Sequence, residues 1–119
     1  MSTAHTLIGP AKILWIFIDE TDRHETMPLY EAILRRLRMR DVAGGTVMRG
    51  IMGYGAQHRI YGSTTLGMAD NRPVTIIVIE SEEKINAILP EIEAMVPEGL
   101  VMVSDTVITK YAARPRSGA

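Results

Sequence analysis

The chain contains no cysteine, which excludes disulfides, thiolate metal sites and thiol nucleophiles. Aromatic residues are scarce, only 5% of the 119 residues, so aliphatic side chains must build the core. No apolar run exceeds Ile13–Ile18. That is far short of the ~20 residues a helix needs to cross a bilayer. Excess charge is also missing: 13 Lys and Arg against 14 Asp and Glu give a net charge of −1. This argues against nucleic-acid binding driven by phosphate contacts. The N-terminus, MSTAHTLIGPA, lacks the basic start and apolar centre of a signal peptide. A cytoplasmic protein, not embedded in a membrane, is expected.

What is present is an ordinary globular composition, 46% hydrophobic and 23% charged. The length suits one domain with its own core. That domain is expected over residues 12–111, between a mobile N-terminal segment (1–11) and a mobile C-terminal tail (112–119).

Periodicity orders the chain. Lys12–Ile18 reads as a buried strand, followed by the polar loop DETDRHETM. Pro28 suits the first turn of a helix, and Leu29, Tyr30, Ile33, Leu34 and Leu37 supply its apolar stripe. Gly44 and Gly45 are expected to end this helix, with Thr46–Met52 forming the second strand. After a long loop, VTIIVIE is the third strand. Ser81 reads as the N-cap of a second helix, which Pro90 should kink or split. The fourth strand, LVMVSDTVITK, carries Ser104 and Asp105 where a bulge is expected. The order βαββαβ predicts an α+β, ferredoxin-like sandwich with strands one and three central. In strand one Ile13, Trp15 and Phe17 share one face and Leu14, Ile16 and Ile18 the other, and in strand three Val74, Ile76 and Val78 alternate with Thr75, Ile77 and Ile79. Two helices cover one face only, so the other predicts a homo-oligomer with sheets turned inward.

Glycines concentrate in GGTVMRGIMGYG (44–55), five in a stretch of strand-forming residues. Such a cluster signals a bulge, a bend or the close approach of a ligand or another backbone. It opens onto the 54–72 loop, longer than most strand connections. Gln57, His58, Arg59, Tyr61, Ser63, Thr64 and Thr65 give that loop hydrogen-bonding capacity for a ligand or partner. The acidic stretch DETDRHE (19–25) reads mainly as a solvated loop before a helix. Asp19, Asp22 and His24, with His58, would be the ligands of an alternative metal site, similar in fold to the CutA proteins. Arg35, Arg36, Arg38 and Arg40 read as a solvated helix face, with Glu31 in reach of Arg35. No catalytic constellation is present, though His24 or His58 would be the acid–base of a small enzyme.

The segments TDRHETMPLYEAILRRLR, GGTVMRGIMGYG and PVTIIVIESEEKINAILPEIEAMVPEGLVMVSDTVITKY resemble the P-II-like family labelled domain of unknown function 190. The resemblance covers about residues 11–111. More distantly, GGTVMRGIMGYGAQ is similar to the strand and loop entry of the P-II signalling proteins. This implies a homotrimer holding an adenine nucleotide between subunits, with no required cofactor. The long loop would engage a protein partner such as a transporter. By position, Thr46, Gly53, Tyr54, Gly55 and Gln57 would line the ligand cleft, and Gly99 would mark the phosphate loop. His58, Arg59 and Tyr61 would belong to the partner-binding loop. Ala56 stands where P-II proteins carry arginine, and VPEGLV (96–101) replaces their glycine- and lysine-rich loop. Glu98 opposes phosphate there, and Thr109 and Tyr111 replace basic residues around Lys110. These departures imply a less charged ligand, such as a nucleoside monophosphate or cyclic nucleotide. They leave a purely protein-binding trimer as the alternative.

Overall fold

A computed structural model describes residues 7–55 and 72–114. One antiparallel sheet carries the domain. Its strands are β1 (Gly9–Asp19), β4 (Gly45–Arg49), β5 (Pro73–Glu80) and β6 (Leu100–Ile108), in the order β4-β5-β1-β6. Helices α1 (Leu29–Met39) and α2 (Glu82–Met95) pack on one face. A short hairpin, β2 (Arg23–His24) with β3 (Met27–Pro28), sits within the polar loop before α1 and was not anticipated. The sandwich is the ferredoxin-like, P-II-like α+β arrangement, with the first and third expected strands at its centre. Among the described residues no helix is long and apolar enough to cross a membrane.

Alternation on the two central strands divides the sheet. Leu14, Ile16 and Ile18 of β1 and Val74, Ile76 and Val78 of β5 are buried against the helices. Leu29, Ile33 and Leu37 of α1 meet Ile85, Ile88 and Ile92 of α2 in the same core. The opposite face stays open. Trp15 lies across from Ile77 and Met102, and Phe17 from Thr75 and Leu100. Leu100 is 52% exposed, Met48 49% and Met102 41%, so this apolar surface lacks a cover within the described subunit.

Several boundaries differ from expectation for local reasons. β1 begins at Gly9 rather than Lys12, since Gly9–Ala11 pair with Thr106–Ile108. The register from Gly9↔Ile108 to Phe17↔Leu100 is uninterrupted, so β6 has no bulge. Its polar residues have partners across the strand instead: Asp105 pairs with Lys12, and Ser104 Oγ accepts Trp15 Nε1–H at 2.9 Å. α1 ends before the glycines. Asp41 adopts φ 61°, its N–H donates to the Arg38 carbonyl and that of Val42 to Leu37, both at 3.1 Å. This is a Schellman stop made without glycine. Gly45 opens β4 instead, where a Cβ would lie 3.1 Å from Leu34 Cδ1. β4 stops at Arg49, three residues earlier than expected. The N-cap at Ser81 forms as expected, accepting the Lys84 amide at 3.3 Å. α2 runs through Pro90 unsplit.

The solvated arginine face of α1 is partly an inter-helix clasp. Arg35 pairs with Glu31 at 2.9 Å, as expected, but Arg36 and Arg40 both grip Glu91 of α2. Those two cations hold the Glu91 carboxyl down to about 2, Arg40 contributing most.

Candidate functional site

Where β4 ends, the chain leaves the sheet under close restraint. The Gly50 amide donates to the Pro73 carbonyl at 2.6 Å, and a Cβ on Gly50 would lie 2.7 Å from Pro73 Cγ. Glycine is therefore required at this crossing. Next door, the Glu20 amide donates to the Arg72 carbonyl at 3.0 Å, while Glu20 Oε2 pairs with Arg49 Nε at 3.0 Å. Both ends of the long loop are thus tied to the exit of β1.

Beside this anchor lies an open cleft of about 980 Å³. Its walls are Phe17, Ile18 and Asp19 of β1, Asp22, Gly50 and Met52–Gly55 after β4, and Pro73 and Thr75 of β5. Glu98, Gly99 and Leu100, at the entry to β6, close it. Four expected ligand residues, Gly53, Tyr54, Gly55 and Gly99, are brought together here from distant parts of the chain. Tyr54 is 67% exposed and Leu100 52%, presenting apolar area toward solvent beside the glycines. Thr46 is not among the walls: it lies opposite Ile77 on the open sheet face. Gln57, His58, Arg59 and Tyr61 lie outside the described residues.

The glycines of the cleft differ in what they permit. Gly55 would meet nothing within 4 Å among the described residues if it carried a Cβ. Gly99 has φ 148°, and its Cβ would fall 2.5 Å from the Phe17 carbonyl oxygen. Packing of the turn against β1 therefore accounts for Gly99 without any ligand.

Charge among the described walls of the cleft comes from carboxylates, of which sequence reasoning places Glu98 here but not Asp19 or Asp22. Asp19, Asp22 and Glu98 line it, and no Lys or Arg appears among its described walls. Burial pushes the Asp22 carboxyl up, and the negative charges of Asp19 and Glu98 add to that. The DETD loop is also internally braced. Asp22 Oδ2 accepts the Asp19 amide at 3.0 Å, and Asp19 Oδ1 accepts the Thr21 amide at 2.8 Å and its hydroxyl at 2.9 Å. Among the described residues, no three His, Asp or Glu side chains converge as a metal ion would require. The acidic strand exit was visible in the sequence, but its proximity to Glu98 depends on β1 and β6 being neighbours.

The strand order, with a cleft at the foot of a long β4–β5 connection, is that of the ferredoxin-like, P-II-like fold. Residues 11–108 match the family DUF190, described as Uncharacterized ACR, COG1993, and the chain belongs to this family. Among its relatives is UPF0166 protein MJ1524 of Methanocaldococcus jannaschii, 34% identical over 84% of this chain and 93% of that protein. A UPF0166 protein of Aquifex aeolicus is 34% identical over 82% of this chain and 91% of its own length. Among solved structures, the fold resembles CPII, a nitrogen regulatory PII-like protein from Thiomonas intermedia K12. A 2.3 Å structure of that protein bound to ADP, AMP and bicarbonate gives a TM-score of 0.60 at 22% identity, covering 83% of this chain and 94% of CPII. Its complex with ADP and bicarbonate gives 0.54 at 24% identity, over 85% and 90%.

Proposed function

We propose that this protein is a P-II-like regulator. Three subunits assemble through the open sheet face, and a small ligand in each cleft sets the conformation of the 54–72 loop. The observation that carries this reading is the meeting of Gly53–Gly55 with the Glu98–Gly99 turn at the anchored foot of that loop. A ligand seated there touches both the loop's root and the sheet, so it can favour one loop state over another. The nucleotide complexes of CPII, a protein of the same fold, support an adenine compound as that ligand. In this reading the protein carries out no catalysis and works in the cytoplasm. His58, Arg59 and Tyr61 belong to the surface that engages a regulated partner such as a transporter.

The open face supports self-assembly on physical grounds. Burial contributes ~25 cal/mol per Å² of apolar surface removed from water, and this face is the sheet's main apolar surface left uncovered. The acidic walls give weight to a second reading, a trimer that binds protein without any nucleotide.

A thermal-shift screen with adenosine, cyclic nucleotides and the mono-, di- and triphosphates separates the two. A ligand at 100 times its dissociation constant adds ~2.7 kcal/mol to the native state, a readable shift. A shift accompanied by slower proteolytic cleavage within 54–72 supports the regulator. Verified binding with unchanged cleavage removes the switch, and a flat response to every compound leaves the protein-binding trimer.

A further inference from the structure

β4 stands at the edge of the sheet, with β5 as its one strand neighbour among the described residues. The bond from the Gly50 amide to the Pro73 carbonyl fixes the alternation along this antiparallel pair. Thr46 and Met48 turn their backbone groups toward β5, and Gly45, Val47 and Arg49 aim their N–H and C=O groups off the sheet. Exposed edges are commonly blunted by a charge, a proline or a bulge. From Gly45 to Met48 none of these is present, and the register with β5 is unbroken. Arg49, the one charge on the strand, is engaged by Glu20.

A groove of about 480 Å³ runs beside this edge, between α1 and the residues that lead into β4. Leu34, Leu37 and Val42 give it apolar surface, and Ala43–Gly45 form the wall continuous with the edge. It opens on the helix side of the sheet, where a Cβ on Gly45 would lie 3.1 Å from Leu34 Cδ1. The groove is therefore separate from the open face, and from the cleft at the far end of β4. On its rim Glu31 is neutralised by Arg35. Arg38 is exposed and makes no side-chain hydrogen bond or ion pair among the described residues, so the rim keeps a positive charge.

We propose that this edge binds an extended, acidic segment of a partner protein by strand addition. The outward groups of Gly45, Val47 and Arg49 pair with the segment's backbone, and a strand of five residues sets its length at about five. Alternate side chains of an extended chain share one face. An apolar side chain on that face enters the groove, and a carboxylate two residues away meets Arg38. Backbone pairing supplies affinity, while the groove and the unpaired cation select the sequence. This surface owes nothing to the cleft or to the 54–72 loop, so it stands or falls apart from nucleotide binding.

Two acetylated, amidated peptides provide the test, Glu-Thr-Ile-Thr-Glu and Lys-Thr-Ile-Thr-Lys, whose side-chain order is the same in either strand direction. Each is titrated to millimolar concentration into the isotope-labelled full chain and followed by nuclear magnetic resonance. The acidic peptide should shift the amide resonances of Gly45, Val47 and Arg49 and slow their hydrogen exchange. The lysine peptide should bind about tenfold more weakly at low salt, and added salt should narrow the difference. Arg38→Glu, at an exposed position, should reverse the order of the two peptides. Val47→Pro removes the central outward N–H and should abolish binding of both. Proline is tolerated on an edge strand where the N–H faces solvent, so the pairing with β5 is kept. Should Val47→Pro fail to fold, Arg38→Glu still decides the charge, and exchange at the three amides decides the place. Equal binding of the two peptides, or an order unchanged in Arg38→Glu, overturns the acidic partner. Shifts confined to the cleft, or no shift at all, overturn the edge as a binding site. Amides of Gly45, Val47 and Arg49 already protected in the peptide-free protein would show a second copy seated there, which overturns the proposal as well.

Discussion

The carboxylate of Glu80, only 2% exposed, accepts the amide of Ala43 at 2.7 Å and so pins the α1–β4 connection to the end of β5. Its second oxygen accepts the Ser81 amide at 2.8 Å, which sets the start of α2. Tyr111 Oη donates to the Ala43 carbonyl at 3.3 Å, and Lys84 Nζ to the Asp41 carbonyl at 2.7 Å. One carboxylate therefore organises the point where helix, strand and C-terminal segment meet. Charge-assisted hydrogen bonds of this kind contribute ~1.5–3 kcal/mol each, and losing them leaves buried amides unpaired. Glu80→Ala should lower the unfolding free energy by about 3 kcal/mol. Glu80→Gln should cost about 1–2 kcal/mol, since its amide can accept from only one of the two N–H groups. Urea denaturation of the three proteins checks the order.

Asp41 holds a left-handed conformation, φ 61°, that ordinarily belongs to glycine. Removing the Cβ relieves a strain of ~1–2 kcal/mol, offset in part by the loss of an exposed pairing with Lys84 worth well under ~1 kcal/mol. Asp41→Gly should therefore raise stability by about 0.5–1 kcal/mol, and Asp41→Val should lower it. A melting curve of each variant decides the sign.

The architecture was legible because periodicity separated the central strands from the edges. Leu14, Ile16 and Ile18 alternate with Trp15 and Phe17 so strictly that the strand, its two apolar faces and an uncovered one follow, though not which of the two the helices cover. What could not be read were long-range polar pairings. Asp105 and Ser104 look like a strand interruption until Lys12 and Trp15 are placed beside them. Arg36 and Arg40 look solvated until α2 brings up Glu91. The helix stop was missed because Asp41 takes the conformation expected of Gly44. For the cleft, the glycine signal located Gly53 and Gly55, but the acidic walls required the β1–β6 neighbourhood. Thr46, taken by position, lies on the same open face as Phe17 and Thr75 but two residues along β4 from Met48, which pairs with Thr75.

Two glycines of the cleft separate fold from binding. Gly99→Ala forces a Cβ to within 2.5 Å of the Phe17 carbonyl oxygen and should destabilise the fold by about 2 kcal/mol or more. Gly55→Ala meets no described atom within 4 Å and should change stability by less than about 0.5 kcal/mol. A fall in ligand affinity in Gly55→Ala, at unchanged melting temperature, would then report the cleft and not the scaffold.

The Glu91 clasp predicts a pH dependence with a defined window. Its carboxyl is lowered from 4.5 to about 2 by Arg40 and Arg36, so the native state favours the charged form. A group with a depressed native value contributes its full stabilisation above the unfolded value and loses it as pH falls through the native one. The contribution is therefore complete above about pH 4.5 and lost on approach to pH 2. Glu91→Gln should melt below wild type at pH 6, and the gap should close as pH falls through that window. A gap that stays constant from pH 6 to pH 2 would show that the clasp acts through packing and not through charge.

The open sheet face gives the test of assembly. Met102 is 41% exposed in the single subunit and faces away from the core, across from Trp15. A lysine there costs an isolated subunit little, because its ammonium can remain in water beyond the stem. Buried between two sheets, the same charge has no partner and must be desolvated, which disfavours association by several kcal/mol. Met102→Lys should therefore yield a folded subunit with unchanged far-ultraviolet circular dichroism and a mass near 13.2 kDa in light scattering, where the proposed assembly has wild type run at three times that mass. A wild type that is monomeric at micromolar concentration would remove the assembly, and with it the inter-subunit setting of the cleft. A trimer that survives the substitution would place the interface on another surface.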